Sequence, residues 1–256
     1  MSFLLDYPLI FLLVSFMLLW VSAQTGGWLR RRRRHVDEAE HEDLGTIQGA
    51  ALTLLALIIG FTFSMAVGRY DQRKNFEEAE ANAIGTEYVR ADLLPAADAA
   101  RVRQLLKNYL EQRIMFYTTG HDTGLLDRVN AATGRLQTDL WSAVQAPAGA
   151  QPTPVAALAI SGMNDVLNSQ GYTQAAIWNR IPTAAWVLML VIGVACNLLV
   201  GYNARQEHAK PRWFFLLPAI VAVSFFLIAD MDSPRGGVIL VAPQNLVSLS
   251  QSLRGQ

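Results

Sequence analysis

The sequence has almost no cysteine and no excess of charge of either sign. Its single cysteine, Cys196, excludes an intrachain disulfide framework and a cysteine-based metal site. The 21 basic residues balance the 21 acidic ones, so composition gives no argument for a nucleic-acid partner. The four histidines, His35, His41, His121 and His208, lie in predicted loops, and none has the spacing of a zinc motif. We therefore predict neither a metal site nor another cofactor.

Long apolar runs, in contrast, are abundant, since 52% of the residues are hydrophobic and only 16% are charged. A helix crosses the roughly 30 Å hydrocarbon core of a bilayer with about 20 mostly apolar residues. Backbone groups in lipid must be paired internally, so such runs are predicted to be helical. Four runs meet or approach this length: Pro8–Ala23, Gly49–Gly68, Thr183–Gly201 and Trp213–Ala229. They predict an integral membrane protein.

The first span is interpreted as a retained helix rather than a cleaved signal peptide. The small residues ending at Ala23 resemble a cleavage site, but the residues before the span carry Asp6 and neither Lys nor Arg. Arginines that oppose export of this end follow the span: Arg30, Arg31, Arg32, Arg33 and Arg34. We interpret them as a topology signal on a solvated loop, with contact to anionic lipid head groups as the alternative.

The four spans are arranged two and two around a long charged insert. The predicted segments are residues 1–68 for the first two spans, 69–182 for the insert, 183–231 for the last two spans and 232–256 for a tail. No proline separates Gly68 from Leu94, so the second span is expected to continue into the insert as one helix. Apolar residues of the insert recur at helical spacing, without strand alternation or a nucleotide-binding glycine loop. The predicted fold is all-α.

The second and third spans carry lines of small residues. The line in the second span includes Gly49, Thr53, Gly60, Ser64 and Gly68, and the line in the third includes Gly193 and Asn197. Steps of three and four residues keep each line on one helix face. Such lines favour close helix packing. The alternative is that they line a pore, and in an oligomer the two roles are compatible. Phe61 and Phe63 flank the first line and are candidates for a hydrophobic constriction.

Charged residues near the span ends form a second candidate site. Asp230 and Asp232 close the fourth span, and an acidic residue at a membrane boundary is costly unless it is paired. We expect an interfacial charge cluster that joins them to Arg69, Asp71 and Arg235. A simple interfacial anchor and a functional cluster remain equal interpretations.

The helix that continues the second span is rich in glutamate. Its acidic residues are Glu77, Glu78, Glu80 and Glu87, which could suggest a cation site. We interpret them instead as a solvated acidic face opposite one of three arginines: Arg101, Arg103 or Arg113.

Several of these segments together resemble a known family. The blocks that carry the resemblance are Gly60–Met65, Arg69–Asp71, Glu78–Thr86, Arg90–Pro95 and Asp230–Pro234, with Tyr109, Arg113, Asn164, Arg180, Pro182 and Gly201 as further matches. They resemble the bestrophin-like family of bacterial membrane proteins of unknown function. This family usually has an aspartate near Asn168 and arginines near Thr173 and at Ser233, so any charge network built on those residues is weakened here.

The resemblance implies a location in the bacterial cytoplasmic membrane and a remote kinship with bestrophins, which are pentameric anion channels. Bestrophins keep their termini and inter-span domain in the cytoplasm. In this sequence, however, eight Lys and Arg residues lie near span ends in the short loops, against five on the other side. We follow this count and expect cytoplasmic short loops, with the insert and both termini outside.

Two functions are compatible with these features. The first is an oligomeric ion channel, for anions if the kinship holds, in which the second span faces the axis and the insert forms a charged vestibule. The second is a non-conducting scaffold or sensor whose insert binds a partner protein. Membrane lipids and further copies of the chain are the expected partners. We do not predict an enzyme, because no nucleophile, base and orienting residue can be assembled from motif spacing.

Overall fold

The computed structural model describes residues 5–32, 38–204 and 215–255. Within these ranges every regular element is helical, which confirms the expected all-α class for them. The helices are α1 Pro8–Arg32, α2 Glu38–Arg90, α3 Ala96–Thr118, α4 Thr123–Ala150, α5 Pro154–Trp178, α6 Thr183–Asn203, α7 Leu216–Asp232 and α8 Gln244–Arg254. A 3-10 turn, Ala91–Leu93, follows α2.

Three stretches of the described residues are long and apolar enough to cross a membrane: Pro8–Arg32, Glu42–Leu93 and Pro154–Asn203. The third is interrupted by residues 179–182, so its apolar part is α6. Helix α7 has 17 residues, and Trp213, where the fourth span was predicted to begin, lies outside the described residues. The chain is therefore a membrane protein, while the two-and-two arrangement of four spans stays a prediction.

The contacts divide the chain into two compact units. Unit 1 comprises Met1–Arg69 and Arg180–Ile239, and unit 2 comprises Tyr70–Asn179 and Leu240–Gln256. Helix α2 contributes its apolar part to unit 1 and its charged part, from Tyr70 onward, to unit 2. The end of the tail, which includes α8, thus belongs to the same unit as the charged insert.

Unit 1 is organised around a close approach of α1 and α6. A side chain at Gly201 would collide with the backbone carbonyl group of Ala23, and one at Gly26 would collide with that of Leu198. Beside this crossing, the Ser22 hydroxyl donates a hydrogen bond of 2.7 Å to the Val194 carbonyl. Small residues therefore allow two helix backbones to touch, which is how helices associate in lipid.

Unit 2 is a helical bundle with an aliphatic and aromatic core. Its fully buried members include Ile84, Val102, Leu106, Tyr109, Leu140, Met163 and Val166. The N-termini of α4 and α5 are capped by side chains: Asp122 accepts from the Leu125 N–H at 2.8 Å, and Thr153 accepts from the Ala156 N–H at 3.1 Å. These caps satisfy N–H groups that the first helical turn leaves without a partner.

We expect Gly201→Val to destabilise unit 1 strongly, because its side chain would strike the Ala23 backbone, which cannot rotate away. The cost should be about 3 kcal/mol, at the upper end for overpacking. Gly45→Ala is the matched control, since its Cβ would meet only the Asn203 side chain, at an ordinary 3.7 Å. Thermal unfolding in detergent should show a large loss for the first variant and almost no loss for the second. Equal effects would contradict the backbone contact.

Candidate functional site

The small-residue line of α2 is bare in the single chain. All five predicted members, Gly49, Thr53, Gly60, Ser64 and Gly68, are exposed. At Gly49, Gly60 and Gly68, a Cβ atom would meet no described atom within 4 Å beyond the adjacent helix backbone. The Thr53 hydroxyl is satisfied by its own helix, donating to the Gly49 carbonyl at 2.9 Å. We call this surface the α2 small face.

The small-residue line of α6 is packed inside unit 1. The Cβ position of Gly193 lies 3.2 Å from the Leu19 side chain and 3.5 Å from the ring of Phe225. Asn197 is fully buried, and its amide donates to the Gly193 carbonyl at 2.8 Å, along its own helix. Its side-chain oxygen has no hydrogen-bond partner among the described residues. The two predicted lines therefore differ in kind, one covered and one open.

The two phenylalanines beside the α2 small face have different surroundings. Phe63 lines a cavity of about 380 Å³ between α2 and α7, whereas Phe61 is outside it and is 66% exposed. The cavity is lined almost wholly by apolar side chains: Leu52, Leu55, Ala56, Ile59, Phe63, Leu217, Ile220, Val221 and Leu227, with Gly60 and Ser224. We call this cavity the α2–α7 groove. The constriction predicted from Phe61 and Phe63 remains a prediction.

Asp230 and Asp232 are both buried at the end of α7, and each accepts backbone hydrogen bonds. Asp230 accepts from the N–H groups of Val238 and Ile239, at 2.8 and 2.7 Å. Gly237 has a φ of +99° and lies against the Asp230 carboxylate, where a side chain would both strain the backbone and collide. Asp230 therefore holds the turn that follows α7.

Asp232 stabilises the start of α6 and an ion-pair network. It accepts from the Ile181 N–H at 3.0 Å and lies 3.5 Å from the Nε atom of Arg180, which also pairs with Asp6. Asp6 and Arg180 were not predicted as partners, because nothing in the sequence links positions so far apart. This arrangement is suited to anchoring chain segments near a helix end.

The remaining predicted charges are spread over both units. Arg69 lies in unit 1, with its guanidinium 3.7 Å from the Met65 sulfur, and Asp71 is exposed in unit 2. Arg235 lies in the segment after α7. The cluster that joins these residues to Asp230 and Asp232 remains a prediction.

The arginine run begins inside α1. Arg30, Arg31 and Arg32 form its last turn, where positive charge is favourable to the helix dipole. The Arg32 guanidinium lies 3.9 Å from the centre of the Trp28 ring, and Arg30 lies 5.8 Å from that of Tyr202. Arg33 and Arg34 lie outside the described residues. A role in topology or lipid contact stays a prediction.

The acidic face of α2 is not solvated, and that expectation was wrong for three of its four glutamates. Glu77, Glu80 and Glu87 are buried, whereas Glu78 is exposed. Burial is tolerated because Glu77 and Glu80 each face hydrogen-bond donors. Glu77 accepts from the Leu246 N–H at 3.0 Å, which caps α8. This residue thus attaches the last helix of the chain to α2.

Glu80 pairs with Arg113, one of the three predicted arginines, and both side chains are fully buried. Its other oxygen accepts from the Thr173 hydroxyl at 3.2 Å and from Tyr117 at 3.5 Å. Burial opposes the charged guanidinium, but the Glu80 carboxylate holds the pKa of Arg113 above its ordinary value. A fully desolvated pair of this kind joins α2 to α3 and is suited to structure more than to ligand binding.

Glu87 is buried, and no described residue donates a hydrogen bond to it. Its carboxylate packs against Gly162, and neither oxygen has a hydrogen-bond partner among the described residues. Desolvation is the main reason that the pKa of Glu87 is raised from 4.5 to about 8. The positive charge of Arg90 opposes this shift, and the negative charge of Asp165 adds to it. Glu87 lies beyond the apolar part of α2. At neutral pH this carboxyl group is therefore largely protonated.

We expect Glu80→Gln to destabilise unit 2 by about 3–5 kcal/mol, because it leaves the Arg113 charge buried and uncompensated. Glu78→Gln, at an exposed position of the same helix, should change stability by less than about 0.5 kcal/mol. Chemical denaturation followed by circular dichroism measures both. The double variant Glu80→Gln/Arg113→Met should recover part of the loss. A single variant as stable as the Glu78 control would contradict the pairing.

Glu87→Gln should stabilise the protein only at high pH. From pH 4.5 to about 8 the folded state binds a proton that the unfolded state releases, so wild-type stability falls as the pH rises. Glutamine removes this dependence, giving equal stability below pH 4.5 and an advantage that grows to about 5 kcal/mol above pH 8. Denaturant unfolding at pH 4 and pH 9 measures the difference. An advantage that does not change with pH would contradict the buried protonated carboxyl.

Comparison with known proteins gives one family and one fold. A family model described as the Bestrophin-like domain matches residues 11–246. A crystal structure of a bacterial Bestrophin homolog from Klebsiella pneumoniae is similar, with a TM-score of 0.66, 16% identity and coverage of 96% of this chain and 97% of that chain. The crystal structure of a point variant of a membrane protein is also similar, with a TM-score of 0.67 and 15% identity. That match covers 97% of this chain and 97% of the other chain. No curated protein matches the chain significantly. At these identities the structures establish a shared fold.

Proposed function

The chain belongs to the Bestrophin-like domain family, and from this premise we propose that it forms a channel-like homo-oligomer in the bacterial cytoplasmic membrane. The observation that carries the proposal is the bare small face of α2. Small residues in membrane helices are enriched where another helix approaches closely or where the helix lines an ion pathway. Further copies of the chain, arranged with this face toward a common axis, would use it.

The composition of the α2 small face fits a narrow, uncharged path. It carries the hydroxyls of Thr53 and Ser64 among glycines, and no ionisable group between Gly49 and Gly68. An ion passing along this face would meet short polar side chains and no charged side chain that would bind it too tightly to leave. The preference for anions is supported by the family's kinship with bestrophins.

The proposed topology has four spans, with α1 and α2 before the charged insert and α6 and α7 after it. The basic residues of the two short loops then lie in the cytoplasm, in accordance with the positive-inside rule. The insert and both termini lie outside. This orientation is the reverse of that of bestrophins. Protease added to sealed inverted vesicles tests directly which side of the membrane the short loops occupy.

The channel proposal predicts anion flux from purified oligomers in liposomes. Ser64→Leu should lower chloride flux at least tenfold, because a large apolar side chain narrows the small face. Val191→Leu, at an exposed position of α6, is the control and should conduct normally. A fluorescent chloride indicator gives the rate, and the mass in detergent gives the assembly. A correctly assembled oligomer without flux would contradict the proposal.

A non-conducting scaffold or sensor is the alternative. It is favoured by large apolar side chains exposed on unit 2, among them Val89, Tyr172 and Trp178, which a partner protein would cover. This alternative requires a monomer or dimer in detergent and no ion flux. The same two measurements therefore separate the two functions.

A further inference from the structure

The outward face of α1 carries one continuous stripe of large apolar side chains. Successive residues of a helix are about 100° apart, so positions that follow one another by steps of three, four or seven residues share one face. The side chains on this face are each about half exposed: Ile10, Val14, Met17, Val21 and Trp28. We call these five residues the α1 stripe.

The serine, alanine and glycine residues of α1 lie on the opposite face and are all buried inside unit 1: Ser15, Ser22, Ala23, Gly26 and Gly27. Membrane helices approach one another closely through such residues. The α1 stripe has none of them, so it offers no place where the backbone of another helix could come close. Flexible acyl chains, which adapt to large side chains, are the occupant that this face fits.

The α1 stripe is about as long as the hydrocarbon core of a bilayer is thick. From Ile10 to Trp28 the helix rises by about 27 Å, against roughly 30 Å for the core. Trp28 therefore lies at the boundary between acyl chains and head groups, where tryptophan is enriched in membrane proteins. Arg32 follows one turn later, about 6 Å further along the helix axis, which places it in the head-group layer.

Arg32 is held at this depth by the Trp28 ring. Its guanidinium carbon lies 3.9 Å from the ring centre, and the two residues are an i, i+4 pair on the outward face. Within the described part of the chain, Arg32 forms no ion pair with an acidic side chain. A guanidinium that stacks on an aromatic ring keeps the N–H groups of its edge for a phosphate, which it can bind through two parallel hydrogen bonds. The indole N–H of Trp28 is a further donor.

We propose that Trp28 and Arg32 bind the phosphate group of an anionic phospholipid whose acyl chains lie along the α1 stripe. The part of the stripe from Trp28 to Met17 is about 16 Å long, which is the thickness of the acyl chains in one leaflet. A zwitterionic head group binds less well, because its own positive charge is repelled by Arg32. A single chain forms the whole of this site, so the proposal does not rest on the homo-oligomer or on conduction.

Quenching of Trp28 fluorescence by brominated lipid tests this site. The protein in neutral detergent is titrated with phosphatidylglycerol that carries bromine on its acyl chains, and the difference between the wild type and Trp28→Phe isolates the Trp28 signal. We expect saturable quenching, and brominated phosphatidylcholine should need a roughly tenfold higher concentration because its head group has no net charge. Equal quenching by the two lipids would overturn the proposal. Inorganic phosphate that displaces the lipid at an equal concentration would make a free anion the ligand, and would also overturn it.

A matched pair of variants separates a specific contact from general attraction between charges. Arg32→Gln should raise the half-saturating concentration of phosphatidylglycerol by roughly tenfold or more, because it removes hydrogen bonds to a charged group. Arg31→Gln removes the same charge at the preceding exposed position and should raise it by less than about fivefold. Both side chains are exposed, so thermal unfolding of the two variants should match that of the wild type. Equal losses for the two variants, or unchanged binding by Arg32→Gln, would overturn the proposal.

Discussion

Close approach of helix backbones is the constraint on which the membrane part of this protein depends. Lipid tails are as apolar as leucine, so burying apolar side chains brings helices together less effectively than it does in water. Within unit 1 this constraint is met at Gly26 and Gly201, where α1 and α6 touch through their backbones. On the corresponding face of α2, a Cβ atom at Gly49, Gly60 or Gly68 would meet no described atom within 4 Å beyond the adjacent helix backbone. Assembly of several copies is what would give that face a role.

The charged part of the chain is organised by a different interaction. Glu80 and Arg113 form a fully buried pair, and Thr173 donates to the same carboxylate. The positive charge beside Glu80 comes from α3, and a neutral hydroxyl from α5 completes the site. The buried carboxylate is therefore satisfied by groups from two other helices.

Apolar periodicity and length indicated the helical class and the membrane character, because both depend on local sequence. The burial of the glutamates was missed because their partners are distant, with Leu246 lying 169 positions from Glu77. A signal was nevertheless present. Glu80 and Glu87 share a helix face with Ile84 and Ala91, which belong to the core. The open and closed small-residue lines look alike in sequence, since packing against another helix depends on the fold.

The central claim is that the α2 small face borders an aqueous path, and solvent access along α2 tests it most directly. In a Cys196→Ala background, single cysteines at Thr53, Gly60 and Ser64 would be exposed to a charged, water-soluble thiol reagent in sealed membranes, alongside cysteines at Leu54 and Met65. We expect fast modification at the first three positions, with loss of flux, and slow modification at the last two. Equal protection at all five would contradict it.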